Sequence, residues 1–176
     1  AFSGQVSLQD DWPLSLELST EVLADPFLEG QLVGQKLKLT AQGDTQKITS
    51  DLALKGPVAL KLSGWVAPLS EHIDHQLALT WKKLKWPLKG DPEWVVSRAE
   101  IKSRGNLDKL RLDLSSLLSG QAIPDIDLSA RVQGNLKEVS VKKLTAKTLA
   151  GEISLTGLLK LADEMMWQGK LSLNNI

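Results

Sequence analysis

Two places in this 176-residue chain bring together residue types that could do chemistry. In EHIDH (71–75), His72 and His75 stand three apart with Glu71 and Asp74 alongside, the raw material of a divalent-metal site. Zinc takes three or four ligands in a defined geometry. The chain has only these two His, so the segment reads as a solvated loop rather than a metal centre. Asp125 and Asp127 fall on one face of a predicted strand, as paired carboxylates for acid–base work must. Beside Pro124 at a strand start, they read instead as marks of its wet side. There is no G-x-S-x-G, no Walker loop and no G-x-G-x-x-G, and no Ser, His and Asp group points to a triad. The expectation is a protein that is not an enzyme, with no cofactor and no metal.

The composition narrows the field further. Lys and Arg number 21 and so do Asp and Glu, spread along the chain. Nucleic-acid binders need a basic excess on one face, which this balance does not supply. Cys is absent, which excludes disulfides and thiolate metal sites and suits an oxidising compartment. Leu supplies 34 residues, about a fifth of the chain, while Tyr is missing altogether. An apolar supply of Leu and six Trp builds smooth oily surface. The chain opens on AFSGQVSLQ without Met and closes on LSLNNI as a strand ends, so the expectation is one segment, residues 1–176, of a longer body. No signal peptide is visible, and no apolar run approaches the roughly 18 to 20 residues that span a membrane.

The elements that must carry any function are strands. Leu14, Leu16 and Leu18 share one face of 14–19, and Val58, Leu60 and Leu62 one face of 56–66. Leu110, Leu112 and Leu114 repeat the pattern, followed by Ile126, Leu128, Ala130 and Val132. Ile153 with Leu155, and Leu171 with Leu173, close the series. Strict alternation over four to eight residues marks a strand with one buried and one wet face. Breakers recur about every 10 residues: Gly30, Gly43-Asp44, Gly56-Pro57, Gly90-Asp91-Pro92, Gly105-Asn106, Gly134-Asn135 and Gly157. They predict meander turns between consecutive antiparallel strands. Helix is confined to two short candidates, 19–27 and 114–120.

The chain also echoes itself. GNLDKLRLDL (105–114) and GNLKEVSVKKL (134–144) share Gly-Asn-Leu and an alternating run, and GQLVGQKLKLTA (30–41) reads as a looser third copy. In LALTWKKLKWPLKGD (77–91), Leu77, Leu79 and Trp81 alternate, Lys82-Lys83 intervenes, and Leu84, Trp86 and Leu88 resume on the opposite parity. SVKKLTA (140–146) makes the same switch between Val141 and Leu144. A one-residue slip would turn every following Leu to water unless a β-bulge absorbs it. Either a bulge curls one long strand here, or a short loop with two solvated lysines separates two strands.

Trp81, Trp86 and Trp167 sit on the apolar parity of their segments, whereas Trp65 falls off the face of Val58 to Leu62. These rings either pack a protein core or line a space that something else occupies. A curved sheet with one apolar face must cover it with helices, a second sheet or a ligand, and this chain supplies almost no helix. Ten to twelve strands would give a trough ~50 to 60 Å long. The predicted fold is all-β, an elongated curved antiparallel sheet with an apolar interior and at most one or two short helices. The candidate lining is formed by Leu14, Leu16, Leu18, Leu60, Leu62, Leu77, Leu79, Trp81, Leu84, Trp86, Leu88, Leu110, Leu112, Leu114, Leu128, Val132, Leu155, Trp167, Leu171 and Leu173.

The repeated Leu strands, the ALTWKKLKWPLKGD run and the GNLDKLRLDLSSLLSGQ run resemble the body of the TamB family, which belongs with the AsmA-like proteins. The likeness covers most of the chain and is most specific at 77–119. It implies a U-shaped "β-taco" trough in a periplasmic protein that is anchored in the bacterial inner membrane by segments outside this one. It further implies phospholipid acyl chains as cargo, carried towards the outer membrane, and a TamA-type outer-membrane barrel as partner of the full-length protein. A different class remains open beside it: a chaperone-like groove that holds β-strands of outer-membrane barrel proteins during assembly. The first predicts sensitivity to a charge placed mid-trough, the second to Pro in an edge strand. A membrane β-barrel is disfavoured by the missing Tyr and the lack of two aromatic girdles.

Overall fold

The computed structural model describes residues 2–6, 13–161 and 165–174. The chain lays down twelve strands in one antiparallel sheet, each paired with its neighbours in sequence. They are β1 (Phe2–Val6), β2 (Leu14–Glu21), β3 (Lys36–Gly43), β4 (Ile48–Lys55), β5 (Ala59–Val66) and β6 (His75–Trp86). There follow β7 (Trp94–Gly105), β8 (Leu110–Gly120), β9 (Ile126–Gly134), β10 (Glu138–Thr148), β11 (Gly151–Leu161) and β12 (Met165–Asn174). The sheet is open and elongated, as the alternation predicts. No helix forms among the described residues.

Both helix candidates are overruled by strand pairing. Residues 114–120 lie in β8, because Leu114 and Leu118 continue a period of two that pairs in register with β7 and β9. Residues 19–21 end β2, and Val22–Gln35 form a long strap. There the Asp25 carboxylate accepts the backbone N–H groups of Phe27 (3.2 Å), Leu28 (3.0 Å) and Leu32 (3.0 Å) and folds the segment into turns. GQLVGQK therefore belongs to this strap and its exit, not to a third copy of the Gly-Asn-Leu unit.

The parity switches are bulges. β5 pairs Leu60 with Trp81 and Ala59 with Lys83, so Lys82 is the extra residue. In β10, Val141 faces Val132 and Lys143 faces Arg131, leaving Lys142 over. A third bulge lies in β7 between Val96 and Arg98. It offsets the one in β6, so that Trp81↔Ala99 and Leu84↔Val96 both keep apolar partners. Bulges of this kind bend and twist a sheet locally, which is how this one curves.

The strap crosses one end of the sheet. The Gln35 side chain donates to Val58 O (3.0 Å) and accepts from Val58 N (2.8 Å), which pins the strap to the β4–β5 turn. Further on, Leu88 N donates to Gln31 Oε1 (2.7 Å) and Lys89 Nζ to Gly30 O (2.6 Å), which ties it to the β6–β7 turn. Leu88, 5% exposed, is the one buried leucine among the described residues. Among the described residues no second layer covers the rest of the sheet. The accessible surface is 12083 Å², against about 8,400 Å² expected for a compact monomer of this mass.

Candidate functional site: an uncovered apolar face

Antiparallel partners share a face, so the register shows directly what the sheet presents. One row reads Leu18, Leu39, Leu52, Leu62, Leu79, Ile101, Leu114, Ala130, Leu144, Leu155 and Leu171, from β2 to β12 without a polar interruption. Beside it runs a row rich in small residues. Leu16, Ala41, Ser50, Gly64 and Leu77 lead through Ser103, Leu112, Val132 and Val141 to Gly157 and Gly169. Aliphatic row and shallow row together make a continuous hydrocarbon surface, crossed by eleven strands at ~4.8 Å spacing.

Of the candidate lining residues, the strand members all lie on this face, Leu14 to Leu18 and Leu171 to Leu173 included. The bulges bring Leu84 and Trp86 round to it, opposite Val96 and Trp94. Leu88 follows the end of β6 and is buried, its backbone N–H bonded to Gln31 Oε1 of the strap. Sequence reasoning missed the contributions of β3 and β4, Leu37, Leu39, Leu52 and Leu54, and Ile101 of β7 and Leu144 of β10 join the lining on this face. The alternation LKLTA (37–41) and the pair Leu52 and Leu54 carried that signal in short form. Trp65 is on the opposite face, where Lys47 Nζ sits 4.6 Å from its ring centroid. The Trp81 Nε1 is buried and finds no hydrogen-bond partner among the described residues.

The reverse face is polar and ion-paired. Lys38–Glu17 (2.9 Å), Lys61–Asp51 (3.5 Å), Lys102–Glu100 (2.9 Å) and Lys147–Glu152 (3.3 Å) are exposed pairs. Exposed pairs of this kind contribute little each. Asp113 is held between Arg131 (2.8 Å) and Arg111 (3.1 Å). The hydrogen bond from Arg131, with a smaller one from Arg111, holds its carboxyl below the usual aspartate range. The two faces thus differ as oil from water.

The two clusters singled out in the sequence have separate surroundings. His72 Nδ1 lies 2.8 Å from Asp108 Oδ2 and its Nε2 3.7 Å from Glu71, whereas His75 Nε2 is 2.9 Å from Ser103 Oγ. Asp74 instead accepts from Asn106 Nδ2 (3.0 Å). The two imidazoles therefore have separate partners. Among the described residues no group of three or more His, Asp or Glu stands in metal-ligating arrangement. Asp127 lies on the polar face of β9, paired across to Lys147, and Asp125 precedes the strand.

A family model described as "TamB, N-terminal domain" matches residues 1–176. No solved structure matches the chain.

Proposed function

The chain belongs to the TamB family, and we propose that its apolar face is a track for phospholipid acyl chains. That family is one of bacterial envelope proteins, and no helix of the described residues is long and apolar enough to cross a membrane. The observation that carries the proposal is the unbroken aliphatic row from Leu18 to Leu171, over which none of the described residues forms a second layer. Each CH₂ of an acyl chain laid on such a surface gains about 0.8 kcal/mol when fully removed from water. The gain does not depend on position along the row, so a chain slides with no specific site to leave. Head groups stay in water at the open side. No catalytic group is needed, and direction comes from elsewhere in the assembly. In this reading the protein bridges the periplasm between inner and outer membranes, working with a TamA-type barrel.

A second reading draws support from β12. Its ten residues pair with β11 on one side only, and Trp167, Leu171 and Leu173 are exposed beside the free edge. Such an edge can accept a strand of a barrel protein by β-augmentation. Mass spectrometry of lipids extracted from the purified protein separates the two. The acyl-track reading expects phospholipid on the wild type and its loss in Trp86→Asp, with Pro substitutions in β12 without effect. Lipid-free wild type that captures unfolded barrel strands, and loses them on a Pro substitution in β12, would replace it with the second reading.

A further inference from the structure

The reverse face pairs most of its charges, but one region of it is out of balance. Like charges directly opposite each other destabilise an antiparallel pair. The chain as a whole is neutral, yet β7 to β10 set Arg104 opposite Arg111 and Arg131 opposite Lys143. Asp113 is in register with the second pair, between Arg131 and Lys102, and Lys102 is paired with Glu100 (2.9 Å). The β10 bulge adds Lys142 next to Lys143, and neither lysine has an ion-pair partner among the described residues. Four cations thus share one carboxylate, with Lys142 adjoining.

Asp113 orients these cations more than it neutralises them. Its Oδ1 accepts from Arg131 Nε (2.8 Å) and its Oδ2 from Arg111 Nε (3.1 Å). Each guanidinium is held on its Nε side, and no other described residue bonds its terminal nitrogens, so the far side of the fork is open to a further acceptor. Beside them the face is hollowed: a cavity of about 240 Å³ is lined by Asp113, Leu114, Ser129, Ala130, Arg131 and Lys143. Thr145 adjoins it as the register partner of Ser129, two residues after Lys143 on the same face. At 1% exposed it is the most deeply buried side chain described, and its Oγ1 has no hydrogen-bond partner among the described residues. Buried hydroxyls are nearly always bonded, so an orphan on the polar face, beside a hollow edged with cations, points to a ligand.

We propose that this hollow on the reverse face binds a phosphate monoester. A phosphate presents three terminal oxygens, each a strong acceptor. The hollow offers donors of two kinds: the charged Arg131 and Lys143, and the hydroxyls of Ser129 and Thr145. Guanidinium forks match phosphate geometry, and such charge-assisted bonds are about twice as strong as neutral ones. A planar carboxylate would be met by Arg131 alone and would leave the hydroxyls unused. A bound dianion also offsets the opposition of Arg131 and Lys143. The group that carries the phosphate has room alongside, in a second cavity of about 390 Å³ lined by Arg111 and Gln133 among others, two residues along β8 and β9. The site faces away from the aliphatic row, so its ligand is not the acyl chain on the track and its binding does not depend on that reading.

Isothermal titration with glycerol 3-phosphate tests this, at about 0.15 M salt, where attraction by exposed charges is screened beyond ~8 Å. Saturable binding at one site per chain is expected. Arg131→Gln and Lys143→Gln, with wild-type circular dichroism, should each weaken it roughly tenfold. Thr145→Val keeps the shape and removes the hydroxyl, and should weaken it roughly fivefold at an unchanged melting temperature. Lys147→Gln removes the same charge from the same strand and should change affinity by less than about twofold. Cosedimentation with phosphatidic acid vesicles tells the source of the phosphate: dependence on Arg131 and Lys143 with the soluble ester marks a free phosphomonoester, and the same dependence on vesicles alone marks a lipid head group. Absence of saturable binding to both, or a loss in Lys147→Gln equal to that in Lys143→Gln, overturns the proposal.

Discussion

The Trp167 ring fills the space that a side chain at Gly157 would need: a Cβ there would come within 2.6 Å of Cζ2 and Cη2 of the indole. The two residues are on neighbouring strands and on the same face: Gly157 opposes Gly169, two residues along β12 from Trp167. Gly169 sits under the same ring, with Cζ2 2.7 Å from its would-be Cβ. The two glycines thus make a seat for the ring on the last strand of the sheet.

Gly157→Ala is therefore expected to unseat Trp167 and loosen β12 by about 1–3 kcal/mol, the usual cost of overpacking. Amide exchange should accelerate in β12 and leave β6 to β8 unchanged. Exchange unaltered in β12 would mean that the ring seat contributes nothing to holding the edge strand.

At Gly105 the backbone has φ +120 and a Cβ would meet Lys109 O. Gly105→Ala is expected to cost roughly 1–3 kcal/mol and lower the melting temperature. Leu107→Thr, two residues on, should leave it unchanged, since Thr45 occupies the equivalent turn position. A thermal melt of both variants checks the contrast.

Lys142 is the residue left over by the β10 bulge. Its deletion would leave Val141, Lys143 and Leu144 in plain alternation, with Leu144 still opposite Ala130 and Leu155, so the bulge would close without a slip. A sheet that keeps wild-type exchange protection in β9, β11 and β12 is the expected outcome. Loss of protection in residues 143–174 would mean that the extra residue itself is needed to hold the register.

The strap carries a pH dependence through Asp25. Its carboxyl is held below the ordinary aspartate value, chiefly by the backbone N–H of Leu32, with Leu28, Phe27 and nearby Lys89 adding to the effect. A depressed folded-state pKa contributes stability that is complete above the unfolded value of 3.8 and is lost as pH falls through the lower folded value. Exchange at the Leu28 and Leu32 amides should thus rise relative to the sheet only below about pH 4. In Asp25→Ala it should already be raised at neutral pH.

Much of the fold was legible because a half-exposed strand writes its burial into every second residue. Leu14 to Leu18, Leu110 to Leu114 and Ile126 to Val132 could be placed on one face from their spacing alone. The lysine pairs at 82–83 and 142–143 located two bulges in the same way. The bulge at Ser97 left no such mark, because Val95, Val96, Ala99 and Ile101 do not reveal where the parity changes. Gly157 was mistaken for a turn, since a glycine beneath a ring and a glycine at a corner look alike in sequence.

The sequence by itself determined the period and the meander turns, both of them local properties of consecutive residues. The tertiary structure decided what depends on residues far apart. It aligned the aliphatic row from Leu18 to Leu171, because register is a property of pairs of strands. It turned 22–35 into a strap, because Gln35 and Gln31 find their partners at Val58 and Leu88. Among the described residues it also left the apolar face without a second layer, because whether a face has a partner depends on where the other elements fold.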